Sequence, residues 1–458
     1  MSLKASTGFL PALWIGKLTA AVVGCVSPSR GTNLSGKVAY RLHERLLDGF
    51  RGIDPDKTIL ITGSNGKSTS NNLVVHVLRT AGFRVATNLE GANLKTGIAT
   101  TLIKNSTLAG KLRADYLVLE VDERSLPAVQ ASLGARFLAV TNIQKDQVQR
   151  NGDPDYIYRK ILMAVDRGMT LFVNNEEPRS AALAGAGGRA IRFSVAELPT
   201  PGTREWDEPV TMACPRCHDQ LEFAYYNLAG VGRFACPACG FSSADKPDYV
   251  IDSVDRTGKT FTTGGRTYHL AYDAPYFLYD YALACAVGTE FGLTGDDLER
   301  AFATFTNVGG RVEEFPAGGT RIRYLRMKQE NPETLQSVLD QIAADDREKI
   351  LLLGLQLVQD FVPFYSNVAY AYDCDFSRLA APAARVEAAI CFGRVNCYDA
   401  AVRLQYAGFP ADKIILVDTD DPAPVLAAVG RCHAEQAYLV TMIGEYEALR
   451  REAERGEA

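Results

Sequence analysis

A chain of 458 residues, 47% hydrophobic and with a formal net charge of −5, is long enough for two or three domains and apolar enough to fill their cores. Neither disorder nor nucleic-acid binding suits that balance. Ten cysteines would suit a disulfide-linked secreted chain, but four have metal-ligand spacing, and a phosphate-binding loop points to the cytoplasm.

Phe9 to Val26 is apolar, with Pro11 near its start and Lys17 in its middle. It is interrupted by charge, and short for crossing about 30 Å of hydrocarbon, so it does not read as an anchor or export signal. It reads as a packed helix; a helix lying on a membrane surface is the alternative. Ser27 to Gly36 reads as a loop, on Pro28, Gly31 and Gly36. Val38 to Phe50 reads as an amphipathic helix with Leu42, Leu46 and Leu47 on one side. Residues 1–50 thus form an N-terminal segment.

Thr58 to Thr62 has the look of a buried parallel strand. It breaks into Gly63-Ser64-Asn65-Gly66, and Lys67-Ser68-Thr69 opens a helix to about Thr80. Strand, glycine loop and helix start form a polyphosphate cradle. Backbone N–H groups of Gly63, Asn65 and Gly66 turn inward, the helix N-terminus adds partial positive charge, Lys67 neutralises phosphate oxygens, and Ser68 offers a hydroxyl to Mg²⁺. The general loop G-x-x-x-x-G-K-[ST] would put glycine at 61, where Ile61 stands. This loop is the shorter T-G-x-N-G-K-S-T.

Arg84 to Thr87 is a short strand, and Asn88 to Leu94 a loop. Tyr116 to Leu119 is the next buried strand and ends at Glu120-Val121-Asp122-Glu123. An acid at the end of such a strand beside a phosphate loop is the usual Mg²⁺ partner, so Glu120 is the candidate ligand; a capping or salt-bridged surface acid is the alternative. The sequence does not decide the roles of Asp122 and Glu123. Phe137 to Val140 is a strand ending in Thr141-Asn142-Ile143, with Lys145-Asp146-Gln147 beyond, in the crevice where parallel sheets bind ligands. Thr170 to Asn174 reads as another strand.

Thr200 to Pro209 reads as a linker. Cys214-Pro-Arg-Cys217 and Cys236-Pro-Ala-Cys239 then have the spacing of a four-thiolate zinc ribbon, with Gly240 freeing the backbone to turn and His218 a bystander. Four cysteines close the coordination sphere, so Zn²⁺ there is structural. Residues 204–246 carry four Lys/Arg against six Asp/Glu, which gives the ribbon no basic face for nucleic acid. Tyr249 to Ala271 reads as hairpin strands. Tyr276 to Phe291 is a helix whose Phe277, Tyr281 and Cys285 belong to a core, and Asp296 to Phe305 is another helix. Asn307 to Arg311 is hinge-like. Beyond it, strands at Leu351–Leu355, Ala388–Phe392, Ile414–Val417 and Tyr438–Thr441 alternate with helices near 333–343, 397–407, 423–430 and 444–454, predicting a second, smaller parallel sheet. Cys374, Cys391, Cys397 and Cys432 lack metal spacing and read as buried thiols.

The loop Thr62–Thr69, Asn88–Asn93, the acid strand Leu119–Glu123, Thr141-Asn142-Ile143, Asp146-Gln147 and Gly310-Arg311-Val312-Glu313 together resemble the Mur ligase family. The four-cysteine insertion and the segments Asn331-Pro332, Tyr372–Phe376 and Arg403–Gly408 resemble its MurT branch, the synthetase subunits that amidate the D-glutamate of lipid II. The resemblance implies an α/β fold: a Mur-ligase central ATP-binding domain over 51–308, with the zinc ribbon inserted at about 205–246, and a Rossmann-like α/β domain over 309–458. It implies an ATP-dependent carbon–nitrogen ligase of peptidoglycan biosynthesis working through an acyl phosphate, with a GatD-type glutamine amidotransferase as partner, at the inner face of the membrane. Lys67, Glu120 and Arg311 would be catalytic. Asn142, Thr69 and Arg311 would join the loop in binding nucleotide, and Gln147 would hold a second metal. The family pattern is broken at Gln149, at Glu330 and at Tyr276–Tyr281. Where the MurT branch has an acid that serves the glutaminase, counting back from Asp373 gives Asn367; Asp360 would serve with a shifted loop. A ligase joining another amine without a glutaminase is the alternative activity.

Overall fold

Five consecutive buried residues, Thr58–Thr62, form β1 at the centre of a parallel sheet. The computed structural model describes residues 8–26, 33–89, 92–145, 153–198, 212–228, 230–306, 312–325, 331–355 and 368–456. The chain divides into two units, residues 1–144 with 155–307 and residues 145–154 with 308–458. The linker Thr200–Pro209 and the hinge Asn307–Arg311 lie outside the described residues.

In the first unit, β1 is followed by β2 (Val85–Thr87), β3 (Tyr116–Glu120), β4 (Phe137–Val140), β5 (Thr170–Asn174) and β6 (Arg189–Val195). A hairpin of β7 (Glu222–Leu228) and β8 (Val231–Ala235) carries the paired cysteines, and β9 (Tyr249–Ile251) returns to the sheet. The sheet order is β2-β3-β1-β4-β5-β6-β9, parallel throughout. Tyr249–Ile251 is therefore a sheet strand paired with β6, not part of a hairpin. Its continuation β10 (Ser253–Asp255), β11 (Thr260–Thr263) and β12 (Arg266–His269) is an antiparallel meander, as the hairpin reading of this segment expects.

Helices cover both faces, as a parallel sheet requires. On one face lie α1 (Phe9–Val26), α2 (Leu34–Leu42), α4 (Lys95–Lys104), α5 (Leu126–Leu133) and α6 (Pro154–Leu162); on the other lie α3 (Lys67–Thr80), α8 (Pro275–Glu290) and α9 (Gly295–Thr304). The short α7 (Pro178–Ala182) follows β5. Phe277, Tyr281 and Cys285 on α8 are all buried in the core.

The N-terminal segment differs from the periodicity reading. Helix α2 starts at Leu34 and runs through Gly36, because that glycine is a contact and not a turn: a Cβ there would stand 1.8 Å from the Thr96 carbonyl oxygen of α4. The helix stops at Leu42, His43 is extended, and the chain recoils as a 3₁₀ turn at Leu46–Gly49. Leu46 and Leu47 enter the core while Leu42 stays 52% exposed.

The second unit holds β13 (Val312–Ala317), β14 (Thr320–Leu325), α10 (Pro332–Ala344), β15 (Lys349–Leu353), α11 (Ser377–Ala380), β16 (Val386–Phe392), α12 (Asn396–Tyr406), β17 (Ile414–Val417), α13 (Pro422–Val429), β18 (Gln436–Val440) and α14 (Ile443–Gly456). Its sheet order is β13-β14-β18-β15-β16-β17. The sheet is mixed, not purely parallel. Gly318 and Gly319 both have positive φ, 57° and 87°, and close a two-residue turn that sets β13 antiparallel to β14. Cys374, Cys391 and Cys397 are buried; Cys432 is only half-buried.

Candidate active site and metal centre

The sheet order reverses around β1, so a crevice opens at the C-terminal ends of β1, β3 and β4. Gly63 at the end of β1 has φ 132°, and a Cβ there would lie 2.2 Å from the Thr141 hydroxyl oxygen. The loop is bolted to the segment after β4. Ser64 N donates to Asn142 O at 2.9 Å and Asn65 N to Asn142 Oδ1 at 2.9 Å, while Asn142 Nδ2 and Thr141 Oγ1 donate to Asn65 O at 3.1 and 2.6 Å. Gln144 N donates to Ser64 Oγ at 2.9 Å, and Asn65 Nδ2 to Gln144 Oε1 at 3.1 Å. Asn142 thus grips the loop backbone with both ends of its amide.

Gly66, φ 80°, caps α3. Thr69 is buried in the first turn. Lys67 is 5% exposed and donates to Glu123 Oε1 at 2.7 Å, to Ser64 O at 3.2 Å and to Gly63 O. Ser68 Oγ donates to Glu120 Oε2 at 2.7 Å, and Asn93 Nδ2 to Glu120 Oε1 at 3.1 Å. Asn88 exchanges two hydrogen bonds with the Glu120 backbone, at 2.8 and 2.9 Å, which fixes where the acid sits. Among the described residues Glu120 has hydrogen-bond donors but no cationic partner, although it is 8% exposed. A hard divalent cation shared by the Ser68 hydroxyl and this carboxylate suits that donor set. The two acids of the strand end therefore separate: Glu123 faces the lysine and Glu120 the serine. Asp122 accepts from Arg124 N at 3.1 Å. Gln147, Arg311, Asp360 and Asn367 lie outside the described residues.

Two features escape a motif reading. Asp280 on α8 accepts from Ser70 Oγ at 2.5 Å, behind the loop helix, and its carboxylate stands 2.9 Å from where a Gly66 Cβ would be. The second is Asn174-Asn175-Glu176-Glu177, all buried, at the end of β5. Glu177 accepts from Ile143 N at 3.0 Å and from Ser180 N at 2.7 Å, so it anchors the segment that grips the phosphate loop. Burial pushes its carboxyl up to about 7, outweighing Arg179 and the N–H donors. Glu176 accepts from Tyr225 Oη at 2.6 Å and Tyr279 Oη at 2.8 Å, tying the cysteine hairpin to the sheet, and burial raises its pKa too. Four consecutive polar residues at the end of a buried strand are the sequence signal.

In the hairpin, the Sγ atoms of Cys214, Cys217, Cys236 and Cys239 all lie within 4.8 Å of one another. Cys214–Cys239 and Cys217–Cys236 are 3.7 and 3.5 Å apart, against about 3.8 Å for thiolates on a tetrahedral ion with Zn–S near 2.3 Å. The two knuckles match: His218 N donates to Cys214 O and Gly240 N to Cys236 O, each at 2.9 Å, and His218 and Gly240 have φ 65° and 71°. His218 thus fills the turn position that Gly240 fills in the second knuckle, and among the described residues the group that could hold a metal is the four cysteines. The donor set suits Zn²⁺.

Residues 61–199 match the Mur ligase middle domain and residues 329–449 the MurT ligase C-terminal domain. The lipid II isoglutaminyl synthase (glutamine-hydrolyzing) subunit MurT of Streptococcus pneumoniae is 26% identical over 429 residues, 90% of each chain. Among solved structures, a pseudomurein peptide ligase type C from Methanothermus fervidus superposes with a TM-score of 0.66 at 16% identity, over 91% of this chain and 81% of that one. A MurF ligase from Thermotoga maritima in complex with ADP superposes with a TM-score of 0.53 at 14% identity, over 92% and 85%. The chain thus joins a Mur ligase middle domain to a MurT-type C-terminal domain, and is an ATP-dependent, amide-forming ligase.

Proposed function

We propose that this ligase amidates the α-carboxylate of D-glutamate in lipid II, using ammonia from a GatD-type glutamine amidotransferase subunit. The observation that carries the reading is the joining, in one chain, of the Lys67–Glu123 and Ser68–Glu120 pairs at the loop with a MurT-type C-terminal domain. A carboxylate oxygen of the substrate attacks the γ-phosphorus of ATP and ADP leaves. Ammonia then attacks the carbonyl carbon of the acyl phosphate, phosphate leaves, and a proton is lost to water. Phosphoryl transfer needs position and charge neutralisation more than covalent help. Lys67 supplies a fixed cation, held in place by Glu123. Ser68 and Glu120 would hold Mg²⁺, with Gln147 as a further ligand; bound there, the ion neutralises charge on the transferred group. The Gly63–Gly66 backbone and Thr69 would cradle the phosphates, Asn142 would keep that cradle in shape, and Arg311 would reach the nucleotide. Zn²⁺ on Cys214, Cys217, Cys236 and Cys239 would be structural. Asp360 or Asn367 would face the glutaminase.

Asn367 at the counted-back position supports a second reading, a ligase that takes its amine without a glutaminase. One assay separates the two: ADP release by the purified chain with lipid II, given ammonium, glutamine, or glutamine with the co-purified partner. The first reading expects turnover with ammonium and with glutamine plus partner. Turnover that no glutaminase makes glutamine-dependent supports the second, and no turnover with lipid II under any condition contradicts both.

A further inference from the structure

Helix α1 buries one side, through Phe9, Ala12 and Leu13, in the first unit. A surface helix normally turns charge outward. This one presents Leu10, Trp14, Leu18 and Val22 at helical spacing, with Ile15 beside them, and Trp14 and Leu18 are 51% and 65% exposed. The helix has a single charge, Lys17, and that charge is withdrawn. Its Nζ donates to Ile103 O and Ser106 O at 2.5 and 2.7 Å, capping the C-terminal end of α4. The outer face is left wholly apolar. It continues into the next loop, where Trp14 Nε1 donates to Leu108 O at 2.9 Å and Leu108 is 69% exposed.

Cations border this face. From Lys104 to Arg113 the chain carries Lys104, Lys111 and Arg113 and no acid, and Arg51 is bridged to Lys111 through the backbone. All four are exposed. We propose that the outer face of α1 and the Leu108 loop form a membrane-docking surface for an anionic phospholipid bilayer. Trp14, Leu18 and Leu108 enter the boundary between headgroups and acyl chains, and the Arg51–Arg113 cluster meets the lipid phosphates. A second copy of this chain is the poorer occupant, because a twofold pairing sets the cation cluster against itself. Among the described residues no helix is long and apolar enough to cross a membrane, so the contact lies on the surface. The proposal stands on this surface alone, and vesicles that contain no peptidoglycan precursor test it independently of the substrate.

The full chain is sedimented with vesicles of phosphatidylcholine and of phosphatidylcholine mixed with phosphatidylglycerol. Trp14 is read by fluorescence in a Trp206→Phe background, which leaves it the sole tryptophan. Binding to the anionic vesicles alone is expected, with a blue shift and quenching by brominated lipid. Leu18→Asp abolishes binding; Lys111→Glu with Arg113→Glu weakens it roughly thirtyfold, as does raised salt. Thermal melting checks that each variant is folded. Absence of binding to anionic vesicles, equal binding to neutral ones, or a folded Leu18→Asp that still binds overturns the proposal. So does a wild-type dimer that Leu18→Asp splits without lipid, which would make a second copy the occupant.

Discussion

Lys67 and Glu123 are 5% and 2% exposed, and each is the other's counter-charge. Removing one strands a buried ion, a loss of about 3–5 kcal/mol. Lys67→Ala should therefore both melt early and lose ADP release, by at least about a hundredfold. The double variant Lys67→Met, Glu123→Gln should recover the stability, read by urea unfolding, and none of the turnover. Turnover near wild type in the double variant would remove Lys67 from the chemistry. Glu177 gives a pH test. Its folded pKa of about 7 lies above the usual 4.5, so the folded state favours the neutral acid. The associated stability is full below pH 4.5 and is lost as pH rises to about 7, a change of ~3 kcal/mol. Glu177→Gln should flatten that slope in unfolding measured across this window. At this scale spacing singles out Lys67, Ser68 and Glu120, because a phosphate loop and a strand-end acid each have a fixed place in the chain. It does not choose between Asp122 and Glu123, since two residues along an irregular strand end point in directions that only the folded backbone sets. Nor does it reveal Glu177, whose partner Ile143 is thirty-four residues away.

Elements were legible where one physical cause acts alone. A buried β-branched run gives β1, short buried apolar runs give β4 and β15, and the C-x-x-C pairs give the hairpin on which the four sulfurs meet. Gly36 misleads because the same residue serves turns and close helix contacts. Gly36→Ala should force α2 away from Thr96 and Thr100 and destabilise the fold by about 1–3 kcal/mol, measured by thermal or urea unfolding. Gly318-Gly319 is a two-residue hairpin signal between alternating strands, and it accounts for the antiparallel edge that β/α alternation hides. The ribbon has a small core of its own, Cys214, Leu221, Phe234, Cys236 and Phe241 with Ala181. Chelation should open it locally: amide protection over 212–246 falls while MgATP affinity changes by less than about twofold. Immediate loss of ADP release in an otherwise folded protein would make the metal catalytic.

For the whole molecule, the first unit assembles a phosphate loop, a strand-end acid and a clamp from three strand ends, and the second adds a mixed α/β sheet. The reading that unites them is that ATP at residues 63–69 activates a substrate carboxylate. Lipid II carrying ¹⁸O in the D-glutamate α-carboxylate tests this most directly. If that carboxylate attacks the γ-phosphorus, each turnover with ammonium leaves labelled oxygen in inorganic phosphate, and Glu120→Gln stops the transfer. Product formed with ATP consumption but with no label in the phosphate would contradict the account.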